Sequence, residues 1–176
     1  MGCGERRCWP EINTEYSEKI EQLYIEMYDM LITYARCSFE EESLAEEAVQ
    51  ETFQIACQKP DKLCESVNPK GWLVNTLKFT IRNMKRGRES ARQLLSNYLI
   101  TQSERIAFSE DKLSLQLMYV DVSHTEEFKL IKEMAIDGRS HLEMANARGI
   151  TISACKKRVQ RAKEMLQKKM KQDVTI

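Results

Sequence analysis

At 176 residues, with 42% hydrophobic and 31% charged side chains, the chain can bury one core or two small ones and is too apolar for a disordered coil. Three prolines and six glycines punctuate it sparsely, which favours long helices, and no apolar run reaches the ~20 residues that span a bilayer. A net charge of zero hides strong segregation. Residues 11–67 carry 14 acidic and 4 basic side chains, and residues 68–92 carry 7 basic and 1 acidic. Residues 93–137 carry 8 acidic and 4 basic, and residues 138–176 carry 10 basic and 3 acidic. Two basic blocks set between acidic ones suggest two contacts with a polyanion and an acidic surface free for another partner.

In chain order, residues 1–15 read as a tail without the apolar core of a secretory signal, so a cytoplasmic location is expected. The first helix is expected over Tyr16 to Arg36, where Ile20, Leu23, Met27, Met30, Leu31 and Tyr34 recur at three- and four-residue steps. A second is expected from Ser43, which with Glu46 spells a capping box, to Cys57 before Pro60. It sets Glu46, Glu47, Gln50, Glu51 and Gln54 outward against Ala45, Ala48, Val49, Thr52 and Phe53. Charge alone leaves that acidic face open between solvated surface and a docking surface for a basic protein.

The third helix opens at Asn68, a cap, followed by Pro69 at the first helical position. It is expected to end at Arg86, ahead of Gly87. Leu73, Thr76, Leu77, Thr80, Ile81 and Met84 form its apolar side. Asn75, Lys78, Arg82, Asn83, Lys85 and Arg86 lie on or beside the opposite, basic side, with Trp72 and Phe79 along one border. Rings beside a basic stripe suit stacking of unpaired bases. Trp72 is expected in the core, whereas core and stacking both stay open for Phe79. Residues 89–123 are polar and weakly periodic and read as a linker with some helix.

A second unit is expected over 124–171, before a short tail at 172–176. Its first helix, Glu126 to Ile136, stops at Gly138. The next is capped by Ser140, with Glu143 as the box partner, and ends near Arg148 and Gly149. Thr151 then caps the last helix. Two helices joined by a glycine-containing turn predict a helix-turn-helix. On the last helix Ile152, Cys155, Val159, Ala162 and Leu166 share one side. Ser153, Lys156, Lys157 and Gln160 are candidates for base edges, and Arg158, Arg161 and Lys163 for phosphates.

No chemistry of bond-making is expected. Cys3, Cys8, Cys37, Cys57, Cys64 and Cys155 are scattered without a C-x-x-C pair, and with His124 and His141 they assemble no zinc spacing. Reduced, mostly buried thiols are expected, with no metal and no cofactor. The carboxylates lie on helix surfaces without the grouping that a nicking or recombining enzyme needs.

Three stretches, "AEEAVQETFQIAC", "NPKGWLVNTLKFTIRNMKR" and "GRSHLEMANARGITISACKKRVQRAKEML", in this order and spacing, resemble regions 2 and 4 of RNA polymerase sigma factors of the extracytoplasmic-function class. The resemblance covers Tyr16 to Arg88 and Glu126 to Lys169. It implies an all-α protein of two small helical domains joined by a linker. It also implies that Val49 to Phe53 lie on the helix that docks on the clamp helices of core RNA polymerase, with Glu46, Glu47, Gln50 and Glu51 at that interface. The helix from Asn68 would hold the melted strand of the −10 element through Asn75, Lys78, Phe79, Arg82, Asn83, Lys85 and Arg86. The helix-turn-helix would read the −35 element as duplex and touch the polymerase flap. Phe79 departs from the pattern, since many members carry asparagine there, beside a flipped base. Stacking on its ring is the replacement expected here. A masking anti-sigma protein is left open, no membrane contact is implied, and a stand-alone helix-turn-helix repressor or activator is the alternative.

Overall fold

The computed structural model describes residues 14–107 and 125–173, and among them it is all-helical. The helices are α1 (Thr14–Arg36), α2 (Glu42–Gln58), α3 (Pro60–Cys64), α4 (Pro69–Ala107), α5 (Glu126–Ala135), α6 (His141–Ala147) and α7 (Ile152–Asp173). Residues 1–13, 108–124 and 174–176, including Cys3, Cys8 and His124, lie outside the described residues, while α1 and α7 take in the inner ends of both expected tails. The chain divides into two compact units at Asn83/Met84.

In the first unit α1, α2 and α3 pack on one another. Ile20, Leu23, Met27 and Leu31 of α1 are buried, as the periodicity predicts, and Ile32 and Ala35 join them. Met30 and Tyr34, counted with them, are instead 48% and 43% exposed. The Ser43 capping box does not form. Glu41 is the cap residue, it makes no side-chain cap bond, and helix α2 already includes Glu42. Ser43 therefore sits inside the first turn, out of reach of the orphan amides. Pro60 opens α3 at its first position instead of merely ending α2. Lys19 Nζ donates to the Cys64 carbonyl at 2.7 Å and ties the end of α3 to α1.

The start of α4 follows its residues. The Gly71 N–H donates to Asn68 Oδ1 at 2.9 Å. A Cβ on Gly71 would stand 2.7 Å from Asn68 Nδ2, so the cap closes over a residue without a side chain. Two contacts align α4 with α1: Lys70 pairs with Glu26, and Lys78 lies over the Tyr34 ring. Both steps are eight residues in the same direction, so the two helices run side by side and parallel there.

The structure corrects the expected end of this helix and the expected linker. Gly87 does not stop α4, which continues to Ala107. Ala91, Leu94, Leu95 and Tyr98 are buried with Leu130, Ile131, Met144, Cys155, Val159 and Leu166 in the core of the second unit. Their spacing of three, four and seven is a helical apolar stripe. Arg92 Nε reinforces the contact by donating to the Ala135 carbonyl at 2.8 Å. Residues 89–107 are thus a structural helix of the second unit, which begins well before residue 124.

Gly87 lies within α4, and a Cβ there would meet nothing within 4 Å. Gly87→Ala is expected to stabilise the protein by about 0.5–1 kcal/mol, by removing chain freedom from the unfolded state. A rise in the chemical denaturation midpoint at constant slope checks it.

Candidate nucleic-acid interface

The second unit places its last helix through a chain of local bonds. Thr125 caps α5 by accepting from the Phe128 N–H at 3.4 Å. Gly138 then takes φ 74°, the left-handed turn expected there. Ser140 and Glu143 form the predicted capping box, with bonds of 3.1 and 3.0 Å. After α6, Gly149 adopts φ 60°, and Thr151 Oγ1 accepts from the Ala154 N–H at 3.2 Å. Met144 and Ala145 of α6 are buried with Cys155 and Val159 of α7.

Arg148, to which no role fell from its sequence context, locks this turn. Its guanidinium donates to both Glu133 carboxylate oxygens at 3.0 and 2.9 Å and to the Met144 carbonyl at 3.3 Å. The hydrogen bond from Arg148 holds the Glu133 carboxyl below its ordinary range, against the opposing effect of burial. Arg139 approaches the same carboxylate at 3.9 Å.

On α7 the apolar side predicted from the sequence is inward, with Cys155, Val159, Ala162 and Leu166 buried and Ile152 half-buried. Ser153, Lys157, Arg158, Gln160 and Arg161 are exposed, and Lys156 is half-buried at the border. Gln160 donates to Glu164 at 2.7 Å. Lys163 is corrected. Its Nζ donates to the Gly87 carbonyl at 2.9 Å, and burial lowers its pKa. It fastens α7 to α4 instead of offering a free cation to phosphate.

In the first unit Leu73, Leu77, Thr80 and Ile81 are buried, while Asn75, Lys78, Phe79, Arg82 and Asn83 face solvent. Phe79 is 61% exposed, and the Arg82 guanidinium carbon lies 5.7 Å from its ring centroid. The alternative left open at Phe79 thus resolves to the surface. Trp72 is half-buried rather than a core residue. Lys85 and Arg86 are exposed as well, but belong to the second unit.

The acidic face of α2 is narrower than expected. Glu42, Glu46, Gln50, Gln54 and Gln58 are exposed at strict four-residue steps. Glu51 is half-buried, and Glu47 is 1% exposed. Glu47 is corrected as an interface residue, because burial wraps around α2 from Leu44 to Phe53 and takes in its position. Cys57, Cys64 and Cys155 are buried free thiols, and Cys37 is exposed. Burial raises the thiol pKa of Cys57 and Cys64. Among the described residues no group of His, Cys, Asp or Glu could hold a metal ion, and no helix is long and apolar enough to cross a membrane.

Comparison with known protein families, with curated proteins and with solved structures finds no match to this chain.

Proposed function

We propose that the chain is a promoter-specificity subunit of the extracytoplasmic-function sigma class, which carries core RNA polymerase to chosen promoters and helps open them in the cytoplasm. The observation that carries this reading is the outward orientation of both cationic faces. Asn75, Lys78, Phe79, Arg82 and Asn83 are exposed in one unit, and Ser153, Lys157, Arg158, Gln160 and Arg161 in the other. Each lies opposite a packed apolar side, so its charge is available to a polyanion.

The mechanism is distributed binding and needs no catalytic group from this chain. In the second unit α6, the glycine turn and α7 act as a helix-turn-helix on duplex −35 DNA. Lys156, Lys157, Gln160 and Ser153 read base edges, while Arg158 and Arg161 hold phosphates. A good bidentate base contact contributes roughly 1–3 kcal/mol of discrimination, and each phosphate contact makes binding salt-sensitive. In the first unit the exposed face of α4 holds the melted −10 strand, with a base stacked on Phe79. The Glu46 and Gln50 stripe of α2 docks on the clamp helices, and the second unit touches the flap. An anti-sigma protein, where one exists, would cover the same surfaces.

Run-off transcription from selected promoter fragments tests the assignment. Core polymerase supplemented with the chain should give discrete transcripts, and core polymerase alone should not. Phe79→Ala should lower open-complex formation about tenfold, the loss of one stacked base, with little change in folding because the ring is exposed. A chain that binds duplex operators yet confers no transcription would be the stand-alone regulator instead.

A further inference from the structure

Tyr34 belongs to no part of this reading, yet it stands beside the basic face of α4. It is 43% exposed, and Lys78 Nζ lies 5.9 Å from its ring centroid. On α4 itself Arg82 lies over the exposed Phe79 ring. Lys78 and Arg82 are four residues apart and therefore neighbours on one helix face. The four side chains form a continuous row in the first unit: phenol, ammonium, guanidinium, phenyl. Neither Lys78 nor Arg82 makes an ion pair among the described residues: no described carboxylate pairs with either charge.

Two exposed rings at the ends of two exposed cations match the repeating chemistry of a single strand. Bases offer flat π faces, and the phosphates between them offer negative charge. A duplex hides those faces, so the row suits unpaired nucleotides. Asn75, exposed one turn before Phe79, adds an amide for a base edge. We propose that Tyr34 is a second stacking platform, so that this unit holds two unpaired nucleotides, one on Tyr34 and one on Phe79, with Lys78 and Arg82 on the phosphates. The proposal rests on the reading of this face as a single-strand site.

The test is titration of a short single-stranded deoxyoligonucleotide carrying 2-aminopurine with the full chain at low ionic strength, read by fluorescence quenching. Tyr34→Leu should weaken binding about tenfold, Tyr34→Phe should match the unaltered protein, and Tyr34→Trp should bind at least as tightly. The slope of log affinity against log salt should stay unchanged in Tyr34→Leu and fall by about 0.7 in Lys78→Gln. If Tyr34→Leu binds normally while Phe79→Leu weakens binding, the second platform is refuted and the single-strand site survives. Equal losses in Tyr34→Leu and Tyr34→Phe would assign the effect to the hydroxyl and refute stacking. A weaker Tyr34→Trp would refute it too. If the unaltered chain binds no single strand, both the platform and the single-strand reading fall.

Discussion

Leu95→Ala is expected to destabilise the second unit by about 2–5 kcal/mol, the range for removing a buried leucine side chain and leaving a cavity. Leu95 is 2% exposed and packs in the core that holds Leu130, Ile131 and Val159. Ser96, its exposed neighbour on α4, should tolerate alanine within about 0.5 kcal/mol. Urea denaturation of the two variants gives the comparison. The contrast is what distinguishes a structural helix from a linker, in which neither change would matter. It also bears on function, since a loosened core would free α7 to move and blunt any readout by its exposed face.

Arg148→Ala should have the next largest effect, about 2–4 kcal/mol, because it leaves the partly buried Glu133 carboxylate with only the more distant Arg139. Both side chains of the pair are 20% exposed, so solvent screens the charge only in part. Lysine at this position should recover less than half the loss, since an ammonium cannot match the two-point geometry. The pH dependence has a definite sign. Glu133 is held below the ordinary value of 4.5 by the Arg148 hydrogen bond. Its contribution is therefore present above that value and is lost as pH falls through the lower folded-state value. The stability gap between the unaltered protein and Arg148→Ala should thus be widest near neutrality and narrow below about pH 4. Denaturation midpoints across that range measure it. Because Arg148 leads directly into the turn before α7, duplex binding should weaken along with stability.

Local chemistry was legible in the sequence at most places where a side chain acts on its own backbone, the Ser43 box excepted. Asn68, Ser140 with Glu143, and Thr151 cap their helices as their sequence contexts predict, and Gly138 and Gly149 take the left-handed conformations that helix ends favour. The apolar sides of α1 and α7 also follow from periodicity, apart from Met30 and Tyr34. What escaped depends on partners distant in the chain. The stripe Ala91, Leu94, Leu95 and Tyr98 is visible as spacing, but its polar surroundings hide it until the second unit supplies something to pack against. Gly87 looks like a stop because glycine weakens helices, and tertiary packing overrides that small cost. Glu47 looks outward on a helical projection, but α2 is enclosed over more of its circumference than an isolated amphipathic helix would be. Lys163 and Tyr34 owe their surroundings to α4, which no local pattern announces. Of the candidate interface, the exposed cations were accessible from spacing, whereas the exposure of Phe79 and the Arg148 lock were not.

The proposed function has a single requirement, association of the chain with core RNA polymerase. Gel filtration of the purified chain with core enzyme tests it most directly. The chain should elute with the polymerase, and reversing the exposed carboxylate in Glu46→Lys should weaken that association while leaving the fold intact. A chain that elutes alone at every ratio of the two components would contradict the assignment.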